Sequence, residues 1–271
     1  MAPPVRPPAV AGSFYPATVR GLRDALQKLC PTAVPPSPAI ALVAPHAGYV
    51  YSGALAGSVW SRVIIPDTVL LLAPNHTGMG SRFGVWAKGA WETPLGSLPV
   101  DEDMASELLD TVPGISADIR SHQREHSLEV HLPFLQHLRP DVKIVPVSVS
   151  ISDADDIGEA GAAIARVVSS RKVLIAASTD MTHFASARKA AEMDAPALAA
   201  VERLDWRGLL SYVLGNRVSM CGVRPVALAL AASARLGAKR ADLVGYTHSG
   251  VVTGDTGEVV AYAGFVIPRE K

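Results

Sequence analysis

The sequence predicts an α/β fold: a central, mostly parallel sheet flanked by helices. Short apolar runs of strand length recur without polar interruption, at Ala39–Ala44, Thr68–Ala73, Lys143–Val149 and Lys172–Ala177. Uninterrupted runs suit strands covered on both faces, as in a parallel sheet. Helix-length stretches alternate with them, the pattern of helices packed around a sheet. The 271 residues are 49% hydrophobic and 18% charged, so a large core can form without disulfides.

Taken in order, the chain opens on a Pro-rich segment over residues 1–9, expected as an extension on a single domain spanning 1–271. A short amphipathic helix is expected over Val19–Leu29, then a loop over Pro31–Pro38 and the first strand. Helices are expected over Gly53–Val63, Asp101–Asp110, Glu125–Leu138 and Asp155–Ser169, each set between strand candidates. Three more follow over Ala187–Val201, Asp205–Leu214 and Val223–Leu236. The tail has strand character over Ala241–His248 and Glu258–Ile267, with a Gly-Asp-Thr-Gly turn (254–257) between.

Composition narrows the function classes. Twenty-five basic and twenty-five acidic residues cancel, which gives no electrostatic reason for a nucleic-acid or membrane-surface partner. No apolar run reaches the ~18 residues of a membrane span. The first nine residues hold four prolines and no apolar core, so they do not read as a signal peptide. Two cysteines make no disulfide framework and fit a reducing compartment. The expected location is the cytoplasm. No glycine loop of the dinucleotide or P-loop type is present, so no nucleotide cofactor is expected.

The strand ends carry the chemistry. The first runs into Ala-Pro-His-Ala-Gly (44–48), the second into Ala-Pro-Asn-His-Thr-Gly (73–78), and the fourth into Ser-Thr-Asp-Met-Thr-His-Phe (178–184). Open α/β sheets bind ligands outside the carboxyl ends of their strands. That edge would collect His46, His76, Asp180 and His183. Cys221 precedes an Ala/Leu helix, where exposed N–H groups and the dipole favour a thiolate. Two imidazoles and a thiolate suit Zn, Fe or Cu; the alternative is that Cys221 is a small buried apolar residue. A further cluster, His122 to His131, contains H-x-x-E-H, a zinc-protease pattern. On a helix His122 and His126 would face one way with Glu125 as general base, the basis for a zinc hydrolase reading. A helix starting near Leu132, with Pro133 in its first turn, is the competing reading.

Together these motifs resemble one family. Val10–Pro16, Pro45–Gly53, Ala-Pro-Asn-His76, Glu125–Pro133, Ser-Thr-Asp180-Met-Thr-His183 and Met-Cys221-Gly are similar, in order, to the motifs of the Memo family, called AmmeMemoRadiSam system protein B in bacteria. The resemblance covers about residues 6–267 and implies a fold similar to the class III extradiol ring-cleaving dioxygenases, whose iron is held by two histidines and a glutamate. It implies His46, His76 and Cys221 as metal ligands, Cys221 standing where the dioxygenases have glutamate. His183 matches their acid/base histidine with Asp180 beside it, and Asp180 could instead enter the metal shell. His126, Glu129, His131, Asn75 and Tyr49 are implied as supporting and pocket residues. Iron or copper with redox activity is the implied cofactor, zinc being a further candidate. A thiolate is softer than a carboxylate and shifts the metal preference toward Cu(I), Zn or Fe. A small molecule or peptide would occupy the strand-end pocket. The vertebrate member's role as a signalling adaptor adds a non-catalytic binding reading. Oligomeric state is not legible in the chain.

Overall fold

The structure, a computed structural model, describes residues 3–270. In chain order the elements are β1 (Val5–Arg6), α1 (Val19–Leu29), β2 (Ala39–Ala44), α2 (Tyr49–Trp60), β3 (Thr68–Pro74), β4 (Phe83–Val85), β5 (Ala90–Thr93) and β6 (Gly96–Pro99). Then come α3 (Glu102–Thr111), β7 (Ile115–Ala117), α4 (Leu132–Leu138), β8 (Lys143–Val149), α5 (Ala154–Ser169), β9 (Val173–Ser178) and β10 (His183–Ala185). The chain closes with α6 (Ala187–Glu202), α7 (Trp206–Gly215), α8 (Val223–Arg235), β11 (Asp242–His248), α9 (Gly250–Thr253) and β12 (Val259–Pro268).

The main sheet runs β10-β12-β2-β9-β3-β8-β4-β7, with β11 also paired to β12. Its centre, β2-β9-β3-β8, is parallel, and these strands are the apolar runs, buried almost throughout. Its flanks are not: β12 runs antiparallel to β2, and β4 antiparallel to β8. The expected mostly parallel sheet is therefore a mixed one with a parallel centre. Short strands such as β4 and β7 leave too few residues for a period to register.

Helix α8 lies against β2, β3 and β9, backed by α5 and α7, while α2 lies against β2, β11 and β12, backed by α1 and α4. The α5–α8 contact is close enough that a Cβ on Gly161 would meet Ala231 Cβ at 2.7 Å. Helix α5 starts on a reciprocal cap, Asp153 accepting from the Asp156 N–H while Asp156 accepts from the Asp153 N–H.

Two expectations change. The N-terminal segment, whose first two residues lie outside the described ones, is not an extension. Its β1 pairs with β5 in a small sheet β1-β5-β6, and the Arg6 side chain is buried. The helix expected over Glu125–Leu138 starts only at Leu132, with Pro133 in its first turn after a short 3₁₀ turn over Glu129–His131. Proline has no N–H to donate and fits a first turn, so the break falls there. Among the described residues no helix is long and apolar enough to cross a membrane.

Candidate metal centre

Because β2, β3 and β9 are parallel neighbours, their carboxyl ends open on one edge of the sheet. His46, His76 and Asp180 each sit two residues beyond the last residue of their strand, Ala44, Pro74 and Ser178. The edge thus gathers side chains 30 and 134 residues apart in sequence from His46. The His46 and His76 ring centroids are 5.3 Å apart, and His126 joins them, stacked on His76 at 4.9 Å and 5.5 Å from His46. One ligand atom from each of these three imidazoles lies within 4.8 Å of the others, a spacing that can hold a metal ion. His126 was expected in a supporting role; here it stands in the cluster itself.

Cys221 approaches the cluster through His46. Its Sγ lies 3.3 Å from His46 Nε2, and the Asp180 N–H points at the sulfur at 3.2 Å. Gly222 makes this approach possible, since a Cβ there would meet Ser178 O at 2.2 Å. Its N–H donates to Thr179 Oγ1, pinning the start of α8 to the end of β9. Burial, with the Asp180 carboxylate close by, pushes the Cys221 thiol well above its ordinary range. A bound metal cation would oppose that shift.

Each ring is held from behind. Glu125, fully buried, accepts from the His76 N–H at 2.7 Å and lies 2.9 Å from His76 Nδ1. It also accepts from the N–H groups of His126 and Ser127 and from Ser127 Oγ. Burial opposes its ionisation, but the His76 hydrogen bond and charge and these N–H donors win, holding its pKa down to about 2. Burial lowers the His76 pKa, yet the Glu125 hydrogen bond and charge outweigh it and raise the net value. His46 is buried and pushed well below the ordinary histidine range, first by burial and then by its neighbouring imidazoles. Its Nδ1 lies 2.7 Å from Ser178 Oγ.

Asp180 is buried beside His46, with Oδ1 accepting from the His46 N–H at 2.9 Å and Oδ2 3.9 Å from Nε2. Burial raises its pKa to about 7 against the pull of the His46 and Ala47 N–H groups. His183 starts β10 with its N–H donating to Ser219 Oγ, and burial lowers its pKa. The next residue, Phe184, has φ +58° and is 77% exposed, an uncommon conformation for a bulky side chain.

Other expected residues lie outside the histidine cluster itself. Tyr49 is buried between Tyr15 and Phe134, its hydroxyl donating to Val130 O, so it builds the layer beneath the site rather than the pocket. Glu129 grips the N-terminal segment: Arg6 at 2.7 Å, the Ala9 and Val10 N–H groups, and the Tyr15 hydroxyl. Phe14 from that segment packs on His126 at 4.7 Å. Asn75 shapes its own turn, accepting from Thr77 Oγ1 and the Gly78 N–H and donating to Met79 O. His131 is buried, which lowers its pKa to about 3, and it lies 2.8 Å from Ser178 Oγ.

The zinc-hydrolase arrangement is not formed. Residues 119–128 form turns and irregular backbone with no helix, so His122 and His126 share no helix face. His122 is buried between Trp86 and Trp91 with Nε2 2.8 Å from Gly84 O, and the Glu125 carboxylate is committed to five donors. Ser178, Ser127 and Trp60 were not foreseen: a serine ending a strand and a tryptophan in a helix carry no signal of their own.

Comparison with known proteins follows the same lines. The sequence model of the family described as Memo-like protein matches residues 6–266. A MEMO1 family protein of Aquifex aeolicus (strain VF5) is 38% identical over 266 residues, covering 97% of this chain and 98% of its own. One from Methanosarcina barkeri is 39% identical over 267 residues, covering 97% of this chain and 100% of its own. Among solved structures, an uncharacterized protein JW3007 from Escherichia coli K12 has a similar fold, with TM-score 0.54 at 14% identity, covering 82% of this chain and 98% of that one.

Proposed function

We propose, for a chain that belongs to the Memo-like protein family, that the strand-end cluster holds a redox-active transition metal, iron or copper, on His46, His76 and Cys221. What supports this is the convergence of His46, His76 and His126 within ligand distance of one another, which carries the histidine pair, together with the buried carboxylate behind His76 and the approach of Cys221 Sγ to His46. Metal-binding histidines generally donate their second ring N–H to such a group. The donor chemistry fits a transition metal: imidazoles suit Fe, Cu and Zn, and a thiolate adds affinity for the softer ions. Cys221 Sγ, 3.3 Å from His46 Nε2, and His126 are the two competitors for the third position. When bound, the metal would supply redox chemistry toward a small molecule at the open edge, in the manner of the extradiol dioxygenases whose fold the family resemblance implies.

The chain's own groups would do the rest. Asp180, with a pKa near 7, and His183, with a lowered one, would take up or release a proton beside the cluster. Phe14 covers one face of His126. The exposed apolar side chains of Val50, Met79, Ile151 and Phe184, all on segments that follow strand carboxyl ends, favour a second reading in which the pocket binds a peptide or partner without turnover.

Metal content of anaerobically purified parent, Cys221→Ser and His126→Ala proteins tests the site. Loss of a stoichiometric metal in Cys221→Ser but not His126→Ala supports the proposed ligands; the reverse pattern replaces Cys221 with His126. Oxygen uptake by the loaded parent over a panel of catechols supports the enzyme. A flat response with full metal favours the binder.

A further inference from the structure

The second nitrogen of His46 faces no carboxylate. It faces Ser178, and Ser178 is one link in a buried chain whose hydrogen directions can be worked out from one end. Trp60 Nε1 is 3.2 Å from His131 Nδ1. An indole nitrogen only donates, so His131 Nδ1 accepts and the ring's hydrogen sits on Nε2. That nitrogen is 2.8 Å from Ser178 Oγ, so Ser178 accepts there. The Ser178 hydroxyl has a single hydrogen, and it points at the buried Ser127 carbonyl at 2.8 Å. The fourth contact, His46 Nδ1 at 2.7 Å, then meets the second lone pair of Ser178 Oγ. A hydroxyl offers one donor and two acceptor sites, and all three are used.

We infer that Trp60, His131 and Ser178 form a neutral hydrogen-bond relay that fixes His46 as its Nδ1–H tautomer and turns a bare Nε2 toward the cluster. That Nε2 is the atom 3.3 Å from Cys221 Sγ. The opposite arrangement, with Ser178 donating to His46 Nδ1, would take the hydrogen from the Ser127 carbonyl and put an N–H where a ligand atom belongs. Trp60, Ser127, His131 and Ser178 are all buried, which keeps bulk water from standing in for a missing partner. The relay assigns positioning roles to three residues, two of them not among the expected site residues. Its use in holding a metal rests on the metal reading above; the tautomer itself does not.

Nitrogen-15 NMR of the histidine rings in metal-free protein reads this directly. The expected result is His46 protonated at Nδ1 and His131 at Nε2. Ser178→Ala should mix or reverse the His46 tautomer and weaken Co(II) binding about tenfold to hundredfold, the range for loss of a supporting partner. His131→Gln, whose amide nitrogen can still donate to Ser178, should keep the His46 tautomer, whereas His131→Phe should relax it. A parent spectrum with His46 protonated at Nε2 overturns the relay without any variant having to fold. So does a Ser178→Ala protein whose His46 tautomer is unchanged. Tautomers as expected with no Co(II) bound would uphold the relay and sink the metal reading.

Discussion

His46 and His76 leave the same sheet edge, two residues past their strands, yet they are set by opposite means. His76 is open to solvent and leans on an ionised carboxylate; His46 is buried and leans on a serine hydroxyl. The pKa directions differ accordingly, raised for His76 and well below the ordinary range for His46. The contrast follows from solvation. A carboxylate behind a buried ring would itself need full desolvation, which costs several kcal/mol per ion unless well compensated. Glu125 meets that condition through five donors; behind His46 a neutral relay avoids the charge altogether. Both devices leave the same product, an Nδ1–H ring with Nε2 free.

A third buried acid separates structure from site. Glu129 lies in the same segment as Glu125 but holds Arg6 and the N-terminal backbone. Arg6→Ala strands that charge and should cost about 3–5 kcal/mol in urea unfolding. Folded Arg6→Ala protein should keep its Co(II) affinity to within tenfold, since Glu129 hydrogen-bonds no member of the histidine cluster and Arg6 meets Glu125 only at its carbonyl oxygen. A loss of affinity larger than tenfold would erase the distinction.

Glu125→Gln probes the charged device and comes next. Its depressed pKa, from 4.5 to about 2, means the carboxylate contributes stability in full above pH 4.5 and loses it as pH falls toward 2. That contribution is on the order of 3 kcal/mol. The variant should show a correspondingly flatter acid limb in stability against pH. His76 runs the other way: its share is present below its unfolded value near 6.5 and fades as pH rises through its raised folded value. An NMR titration of Glu125→Gln should therefore find His76 titrating at lower pH than in the parent, and His46 still titrating well below the ordinary histidine range.

The smallest effect concerns the third strand end. Phe184 sits at φ +58° and exposes most of its ring. Left-handed backbone costs a bulky residue about 1–2 kcal/mol, and glycine's extra chain entropy offsets roughly half of that. Phe184→Gly should raise stability by about 0.5–1 kcal/mol in thermal unfolding. If the exposed ring serves ligand binding, the same variant should lose affinity for whatever ligand the panel identifies.

The part of this contrast that shows in the sequence is the part carried by local pattern. Apolar runs ending in Pro-His, Pro-Asn-His and Ser-Thr-Asp placed both histidines and Asp180 at one edge, because buried parallel strands and their terminal turns are short-range features. The flanking antiparallel strands escaped, since three-residue β4 and β7 carry no period. The stretch from His122 to His131 was ambiguous for a physical reason: Glu125 uses its carboxylate on the N–H groups of the next two residues, which favours a turn over a helix. The relay was out of reach altogether. Trp60 meets His131 across 71 positions and Ser178 meets His46 across 132, so only the packed fold reveals them.

The central claim is that a metal sits on this histidine pair, and metal analysis of anaerobically purified parent and His46→Ala tests it most directly. The account predicts a stoichiometric iron or copper in the parent and its loss in the folded variant. Equal metal content in the two proteins would contradict it.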